Sequence, residues 1–210
     1  MPTEREKKLE EALAQFIKPM KGIPFEVIIQ SLCGVSVEKF DVSIEANKAV
    51  LQTLITAMKE AGKAVQTTPI VRPRPNEVGN DMEPFVIAAL KTHGFAAAAP
   101  KTKGGLGKST GYPDVKIITK GLPIYVEVKT YAAANHTTTQ RSFYLSPAEN
   151  PKVFEDGYHL LVGFEMVRKG DSYTPARFEM VDLYGLDCDM KSEFNSDNRR
   201  LYGNERLLAS

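Results

Sequence analysis

The spacing of apolar positions changes near residue 76 of this 210-residue chain. Before that point, apolar residues recur every three to four positions, which is typical of amphipathic helices. This spacing predicts three helices followed by an extended, proline-rich stretch: 4–17, 24–32, 43–61 and 66–75. A fourth helix is predicted from Asp81 to about His93, with Asp81 as its N-cap.

From Phe95 onward the pattern favours strands. The clearest case is a β-hairpin over 111–131, in which two runs of high β-propensity flank the turn signal Lys120-Gly121. Three more strands and one short helix or turn are predicted: strands 141–145, 158–168 and 177–183, and the helix or turn 146–157. The chain is therefore predicted to be an α/β protein with a central mixed β-sheet flanked by helices.

Charged side chains lie in the predicted hairpin where a core strand would carry apolar ones. Asp114 opens the first strand, and Glu127 and Lys129 share one face of the second. Two neighbouring carboxylates repel, and Mg²⁺, which prefers oxygen ligands, removes that repulsion and lowers the pKa of a bound water. Lys129 could hold that water or offset charge on a phosphate. The chemistry indicated is metal-assisted hydrolysis of a phosphodiester.

A structural alternative exists for the same residues. Exposed edge strands commonly alternate Glu and Lys to form a solvated face, and an Asp after a Pro is an ordinary turn residue.

Pro113-Asp114, a gap of twelve residues and then Glu127-Val128-Lys129 resemble the signature of the PD-(D/E)xK nucleases, most of all type II restriction endonucleases. The resemblance covers about residues 80–165 and implies a restriction-endonuclease-like fold. It implies that Asp114, Glu127 and the carbonyl of Val128 bind Mg²⁺, and that Lys129 assists the attacking water. Many members add a Glu from a preceding helix, and Glu83 is the matching residue.

The implied protein is a Mg²⁺-dependent endonuclease that cuts double-stranded DNA at specific sequences and works as a homodimer. Residues 76–210 would form the catalytic core, and the helical region 1–75 would serve dimerisation or grip DNA. The alternatives are a structure-specific or repair nuclease of the same fold and a non-catalytic DNA-binding protein.

A glycine-rich segment, KGGLGKST at 103–110, matches the letters of a phosphate-binding P-loop. A P-loop must open a helix, and Gly111 and Pro113 prevent one from following here. We therefore expect no nucleotide cofactor. The segment is either a plain surface loop or a loop whose lysines Lys101, Lys103 and Lys108 contact DNA phosphates.

Further polar residues after the hairpin are candidates for DNA contact, since their side chains can pair with base edges or phosphates. They are Asn135, His136, Gln140, Arg141 and Tyr144, with Arg199 and Arg200 in the tail. Simple solvation of a polar loop, or packing of the tail, is the alternative.

The amino-acid composition excludes only a few classes of protein. The formal net charge is +1, so any DNA-binding surface must be a local basic patch. The two cysteines and three histidines show no zinc spacing. The chain has neither a long apolar run nor a secretory signal, so we expect a cytoplasmic protein that does not contact membranes.

Overall fold

The computed structural model describes residues 2–18, 20–107, 111–139, 143–191 and 196. The helices are α1 (Glu4–Phe16), α2 (Phe25–Cys33), α3 (Glu45–Thr67) and α4 (Val78–Thr92), with short 3₁₀ turns at Pro75–Glu77 and Ala133–Asn135. The strands are β1 (Ile23–Pro24), β2 (Val37–Glu38), β3 (Ile70–Val71), β4 (Ala96–Ala98), β5 (Val115–Ile118), β6 (Ile124–Tyr131), β7 (Gly157–Lys169), β8 (Ser172–Asp182) and β9 (Asp187–Cys188). None of the described helices combines the length and the apolar character needed to cross a bilayer.

By its contacts the chain divides into two compact units. One consists of Met1–Ile23 with Asp187–Ser210, and the other is Pro24–Leu186. This division does not fall at residue 76, because α3 and α4 pack on the strands that follow them. The roles predicted for 1–75 and 76–210 stay a prediction.

Within the first unit, Thr3 precedes α1 as its N-cap and forms a capping box with Glu6. The Thr3 hydroxyl accepts a hydrogen bond from the Glu6 amide, and the Glu6 carboxylate accepts one from the Thr3 amide. The predicted first helix is therefore confirmed.

The second unit is built on a mixed sheet. Among the described residues it has seven strands, in the order β3-β8-β7-β6-β5-β4, with β2 paired to β7. The predicted hairpin forms as β5 and β6, with Val115 opposite Val126. The next hairpin, β7 and β8, turns at Gly170, whose φ of 63° suits glycine. Strand β6 runs parallel to β7, with Glu127 opposite Leu161. The predicted α/β class with a mixed sheet is confirmed.

Helices α3 and α4 cover one face of this sheet and form the main core with it. Buried core residues come from both helices and from the central strands: Leu54, Met58, Met82, Val86, Ile124, Val126, Val128, Val162 and Phe164. The opposite face carries an aromatic cluster around His159. Its members, in edge-on, stacked or tilted contact, are Phe25, Tyr112, Tyr125, Phe143 and His159.

Two helix boundaries differ from the prediction because burial overrides local signals. Helix α3 continues past Gly62 to Thr67, since Ala61 and Val65 on its last turns are fully buried in the core. Helix α4 begins at Val78, three residues before the predicted N-cap, because Val78 and Met82 pack into the same core. Asp81 is therefore not a cap.

Asp81 instead binds a residue of the proline-rich stretch. Its Oδ1 accepts a hydrogen bond of 2.7 Å from Arg72 Nη2. The stretch itself is extended only in part: its first two residues complete α3 and Pro75 begins a 3₁₀ turn, whereas Ile70–Val71 form the strand β3.

The segment between β6 and β7 also departs from the prediction. The described residues from 143 to 156 form neither the predicted strand nor a helix. These polar and proline-rich residues form hydrogen bonds to other parts of the chain rather than a strand pairing of their own. The amide of Lys103, for example, donates to the carbonyl oxygen of Pro151 at 3.2 Å.

Candidate active site

The β5–β6 hairpin brings the two predicted acids together. Asp114 lies just before β5, and the register that pairs Val115 with Val126 places it beside Glu127. Its Oδ2 accepts a hydrogen bond of 2.8 Å from the Val128 amide. The backbone of β6 therefore fixes the Asp114 carboxylate next to the motif on that strand.

Glu127 is a buried carboxylate whose ionic partner is Lys129. Only 4% of the residue is exposed. Its Oε1 lies 2.6 Å from Lys129 Nζ, and its buried Oε2 has no hydrogen-bond partner within the described part of the chain. Strand β6 lies between β5 and β7, so these residues are not on an exposed edge strand. The structural alternative of a solvated edge therefore does not describe them.

Glu83, on α4, interacts electrostatically with Asp114 and Glu127. Burial, followed by the charges of Asp114 and Glu127, raises its pKa to about 7. Burial, and then the charge of Asp114, also raises the pKa of Glu127 to about 7, although Lys129 acts in the opposite direction. The charge of Asp114 thus disfavours the ionised forms of Glu83 and Glu127, and the charge of Glu127 also disfavours that of Glu83.

The oxygen atoms of this cluster fit a hard divalent cation only in part. No three His, Cys, Asp or Glu side chains in the described ranges form a group that could hold a metal ion by themselves. Two carboxylates with a backbone oxygen and water ligands do suit Mg²⁺, which usually keeps several waters. The partnerless buried oxygen of Glu127 is consistent with such a ligand.

Sequence reasoning missed three residues next to the site. The buried Lys152 donates to the carbonyl oxygens of Gly111 at 2.6 Å and Pro113 at 3.1 Å. Tyr112 Oη and His159 Nδ1 share a hydrogen bond of 2.6 Å. Burial lowers the pKa of His159 to about 3, so the imidazole is neutral. No sequence signal marked them, since the contacts join positions 39 to 47 residues apart.

The two described lysines of the predicted lysine loop, Lys101 and Lys103, are exposed, whereas Thr102 between them is buried. Lys101 pairs with Gly107 in an isolated bridge, and Lys103 lies in the turn between them. This turn does not follow a buried central strand, as a P-loop requires. Lys108 lies outside the described residues, and DNA contact by this loop stays a prediction.

The other predicted DNA contacts are placed only in part. His136 contacts Glu179 with 2.7 Å between Nε2 and Oε2, and its ring lies 5.2 Å from that of Tyr131. Asn135 ends a 3₁₀ turn, and Tyr144 is exposed. Gln140, Arg141, Arg199 and Arg200 lie outside the described residues.

The mixed sheet flanked by helices, with two acids and a lysine on its central hairpin, defines a restriction-endonuclease-like α/β fold. The chain belongs to the type II restriction enzyme MjaV family, whose model matches residues 19–205. It is 33% identical to the type II restriction enzyme MjaV of Methanocaldococcus jannaschii over 216 residues, which cover 95% of this chain and 94% of that enzyme. No solved structure matches it significantly. The protein is a restriction endonuclease, a site-specific deoxyribonuclease.

Proposed function

We propose that this enzyme hydrolyses phosphodiester bonds of double-stranded DNA in a Mg²⁺-dependent reaction of the PD-(D/E)xK type, at a site made by Asp114, Glu127 and Lys129. One observation carries the proposal. Glu127 is buried beside Asp114 on a central hairpin, with one carboxylate oxygen on Lys129 and the other without a partner among the described residues. Burial of such a group costs free energy that a bound cation would offset.

In this proposal Asp114, Glu127 and the carbonyl oxygen of Val128 hold the ion. The bound ion supplies Lewis-acid chemistry, since it polarises a phosphoryl oxygen and lowers the pKa of water. Glu83 adds negative charge at the same place, because its carboxyl is electrostatically coupled to both acids. Its pKa of about 7 leaves it partly protonated at neutral pH until positive charge arrives.

In this proposal the ammonium group of Lys129 takes part in the reaction itself. Its side chain is 29% exposed, so its ammonium can reach a water or a phosphate oxygen from the protein side. An ammonium at this position stabilises negative charge that develops on the phosphate and orients the attacking water. In the DNA-free protein its partner is Glu127.

We further propose that the enzyme acts as a homodimer in the cytoplasm. A two-fold symmetric pair would present one site to each strand of a symmetric DNA sequence. The predicted contacts of Lys101, Lys103 and Lys108 with phosphates, and of the segment 135–144 with bases, belong to the same proposal.

Digestion of mixed plasmid DNA tests this function. With Mg²⁺ we expect discrete fragments, and with EDTA in place of Mg²⁺ we expect none. Asp114→Asn protein from the same purification is the matched control for contaminating nucleases and should yield no fragments. A smear would indicate nonspecific cutting, fragments only from branched or damaged DNA would indicate a repair nuclease, and intact DNA throughout would contradict the proposal.

A further inference from the structure

Lys152 contacts the turn that carries the first acid of the site. The residue is only 5% exposed, and its Nζ donates to Gly111 O at 2.6 Å and to Pro113 O at 3.1 Å. The Pro113 carbonyl belongs to the peptide unit that leads directly into Asp114. The two carbonyl oxygens therefore converge on one ammonium group immediately before the acid.

The fold alone does not require an ammonium at this position. Burial of a charge is unfavourable unless hydrogen bonds compensate it, and apolar residues usually occupy such buried positions. A methionine side chain, unbranched and flexible, would fill the same space. The charge is therefore better explained by what it contacts than by packing.

Asp114 is restrained from two sides as a result. On one side the Val128 amide of β6 donates to its carboxylate at 2.8 Å. On the other side Lys152 holds the backbone of the preceding turn. Tyr112, the residue between Gly111 and Pro113, shares a hydrogen bond through its hydroxyl with His159 on β7. The turn cannot shift without breaking contacts to segments distant in sequence.

We propose that Lys152 is a positioning residue of the active site: its ammonium holds the Gly111–Asp114 turn so that the Asp114 carboxylate lies beside Glu127. This inference rests on the proposed function, because it assigns Lys152 a role through a metal ligand. The charge of Lys152 also lowers the pKa of both Glu83 and Glu127, which places the ammonium within electrostatic reach of these two carboxyl groups.

The test uses Lys152→Met, which keeps an unbranched side chain only one atom shorter and removes its charge and its donors. Three properties are measured: Mn²⁺ binding to the DNA-free protein by electron paramagnetic resonance, DNA affinity in EDTA, and the single-turnover cleavage rate in Mg²⁺. We expect Mn²⁺ affinity and the cleavage rate to fall by about 10- to 100-fold, as for partners that orient metal ligands. DNA affinity should stay within about twofold, because Lys152 is only 5% exposed and its ammonium donates to the turn rather than to a DNA phosphate.

Lys116→Met is the matched control. Lys116 lies on β5, close to Asp114 in sequence, but its ammonium contacts Glu155 at 3.0 Å and not the turn. This variant should bind Mn²⁺ and cut DNA as the wild type does. An equal loss in Lys116→Met would show that any nearby lysine has the same effect, and the positioning role would be rejected.

A charge effect and a positioning effect predict opposite changes in metal binding. Loss of a nearby ammonium on its own would strengthen cation binding, whereas loss of positioning weakens it. Folded Lys152→Met protein that binds Mn²⁺ as tightly as the wild type, or more tightly, overturns the inference. If Lys152→Met does not fold, Lys152→Gln, which keeps a neutral donor, is measured in the same way. Wild-type rate and affinity in that variant overturn the inference as well.

Asp114→Asn, measured in parallel, separates this inference from the proposed function. Normal Mn²⁺ binding and cleavage in Asp114→Asn would reject the proposed site and the role of Lys152 with it. Loss of both in Asp114→Asn, with both retained in Lys152→Met, would reject only the role of Lys152.

Discussion

The two faces of strand β6 carry different kinds of side chain and pack against different parts of the protein. Ile124, Val126 and Val128 point into the core beneath α3 and α4. Tyr125, Glu127 and Lys129 alternate with them and point to the opposite face, where Tyr125 contacts the ring of His159 and Glu127 pairs with Lys129. One strand thus combines an apolar face that stabilises the fold with a charged face that costs stability.

The difference shows how the protein keeps a destabilised site in place. Burial of apolar area on one face offsets the free energy lost by burying Glu127 on the other. Because both faces belong to one strand, paired on both sides, the charged groups cannot relax without disrupting the sheet. Changes on the two faces should therefore affect different properties of the enzyme.

The largest effect is expected from the acids of the charged face. Asp114→Asn or Glu127→Gln removes a metal-ligand charge and should lower the cleavage rate on the order of a thousandfold or more. DNA binding in EDTA should persist or tighten, since repulsion of the phosphates falls. Single-turnover cleavage and fluorescence anisotropy measure the two properties. Cleavage within about tenfold of wild type in either variant would remove these acids from the site.

Lys129→Ala should produce the next largest loss. Removal of one electrostatic stabiliser costs on the order of a hundredfold in the chemical step, while circular dichroism should show an intact fold. Lys116→Ala, on the neighbouring strand of the same hairpin, is the control and should cut at the wild-type rate. An unfolded Lys129→Ala protein would mean that this lysine serves the structure instead.

The apolar face should show the opposite behaviour. Ile124 is buried in the core, so Ile124→Ala should lower the free energy of unfolding by about 2–3 kcal/mol because it leaves a cavity. Its single-turnover rate at low temperature should stay close to that of the wild type. Ile118→Ala, at an exposed isoleucine of the same hairpin, should change stability by less than about 0.5 kcal/mol. A large rate loss in Ile124→Ala would show that the faces are not independent.

The smallest expected effect is the pH dependence of stability that arises from the carboxyl groups of the site. The pKa values of Glu83 and Glu127 are about 7 in the folded protein, above the ordinary 4.5, so the folded state binds more protons than the unfolded state between these values. Stability of the metal-free protein should therefore be highest below about pH 4.5 as far as these groups contribute, and should fall as pH rises through about 7.

Thermal unfolding in EDTA and in Mg²⁺ measures this dependence. Mg²⁺, which binds only the folded state, should restore stability above about pH 7. Glu127→Gln should flatten the EDTA profile and stabilise the metal-free protein at about pH 8 by about 1–2 kcal/mol. A profile that Glu127→Gln leaves unchanged would show that this carboxyl is not the titrating group.

Local patterns predicted the parts of the molecule that local physics decides. The β5–β6 hairpin and the alternation of Glu127 and Lys129 with valines follow from β-propensity, turn chemistry and the two-residue period of a strand. The central location of β6 could only be proposed, because its parallel pairing with β7 joins segments more than thirty residues apart.

Local patterns failed where burial competes with them. Gly62 is an ordinary stop signal, yet α3 passes through it because Val65 gains more from the core than glycine costs in a helix. Asp81 has the preferred chemistry of an N-cap, yet α4 begins earlier and leaves its carboxylate to Arg72. In both cases a core contact outweighs a local preference of about 1 kcal/mol.

The sequence by itself determined which residues form the proposed site: an acid before one strand and a Glu-Val-Lys triplet on the next, joined by a turn short enough to pair them. The tertiary structure decided how that site is held and charged. The burial that raises the pKa of Glu127, the approach of Glu83 from α4 and the contacts of Lys152 and His159 with the Asp114 turn all depend on segments that meet only in the folded chain. Hairpin pairing is local in sequence, whereas burial and long-range charge depend on the packing of the whole unit.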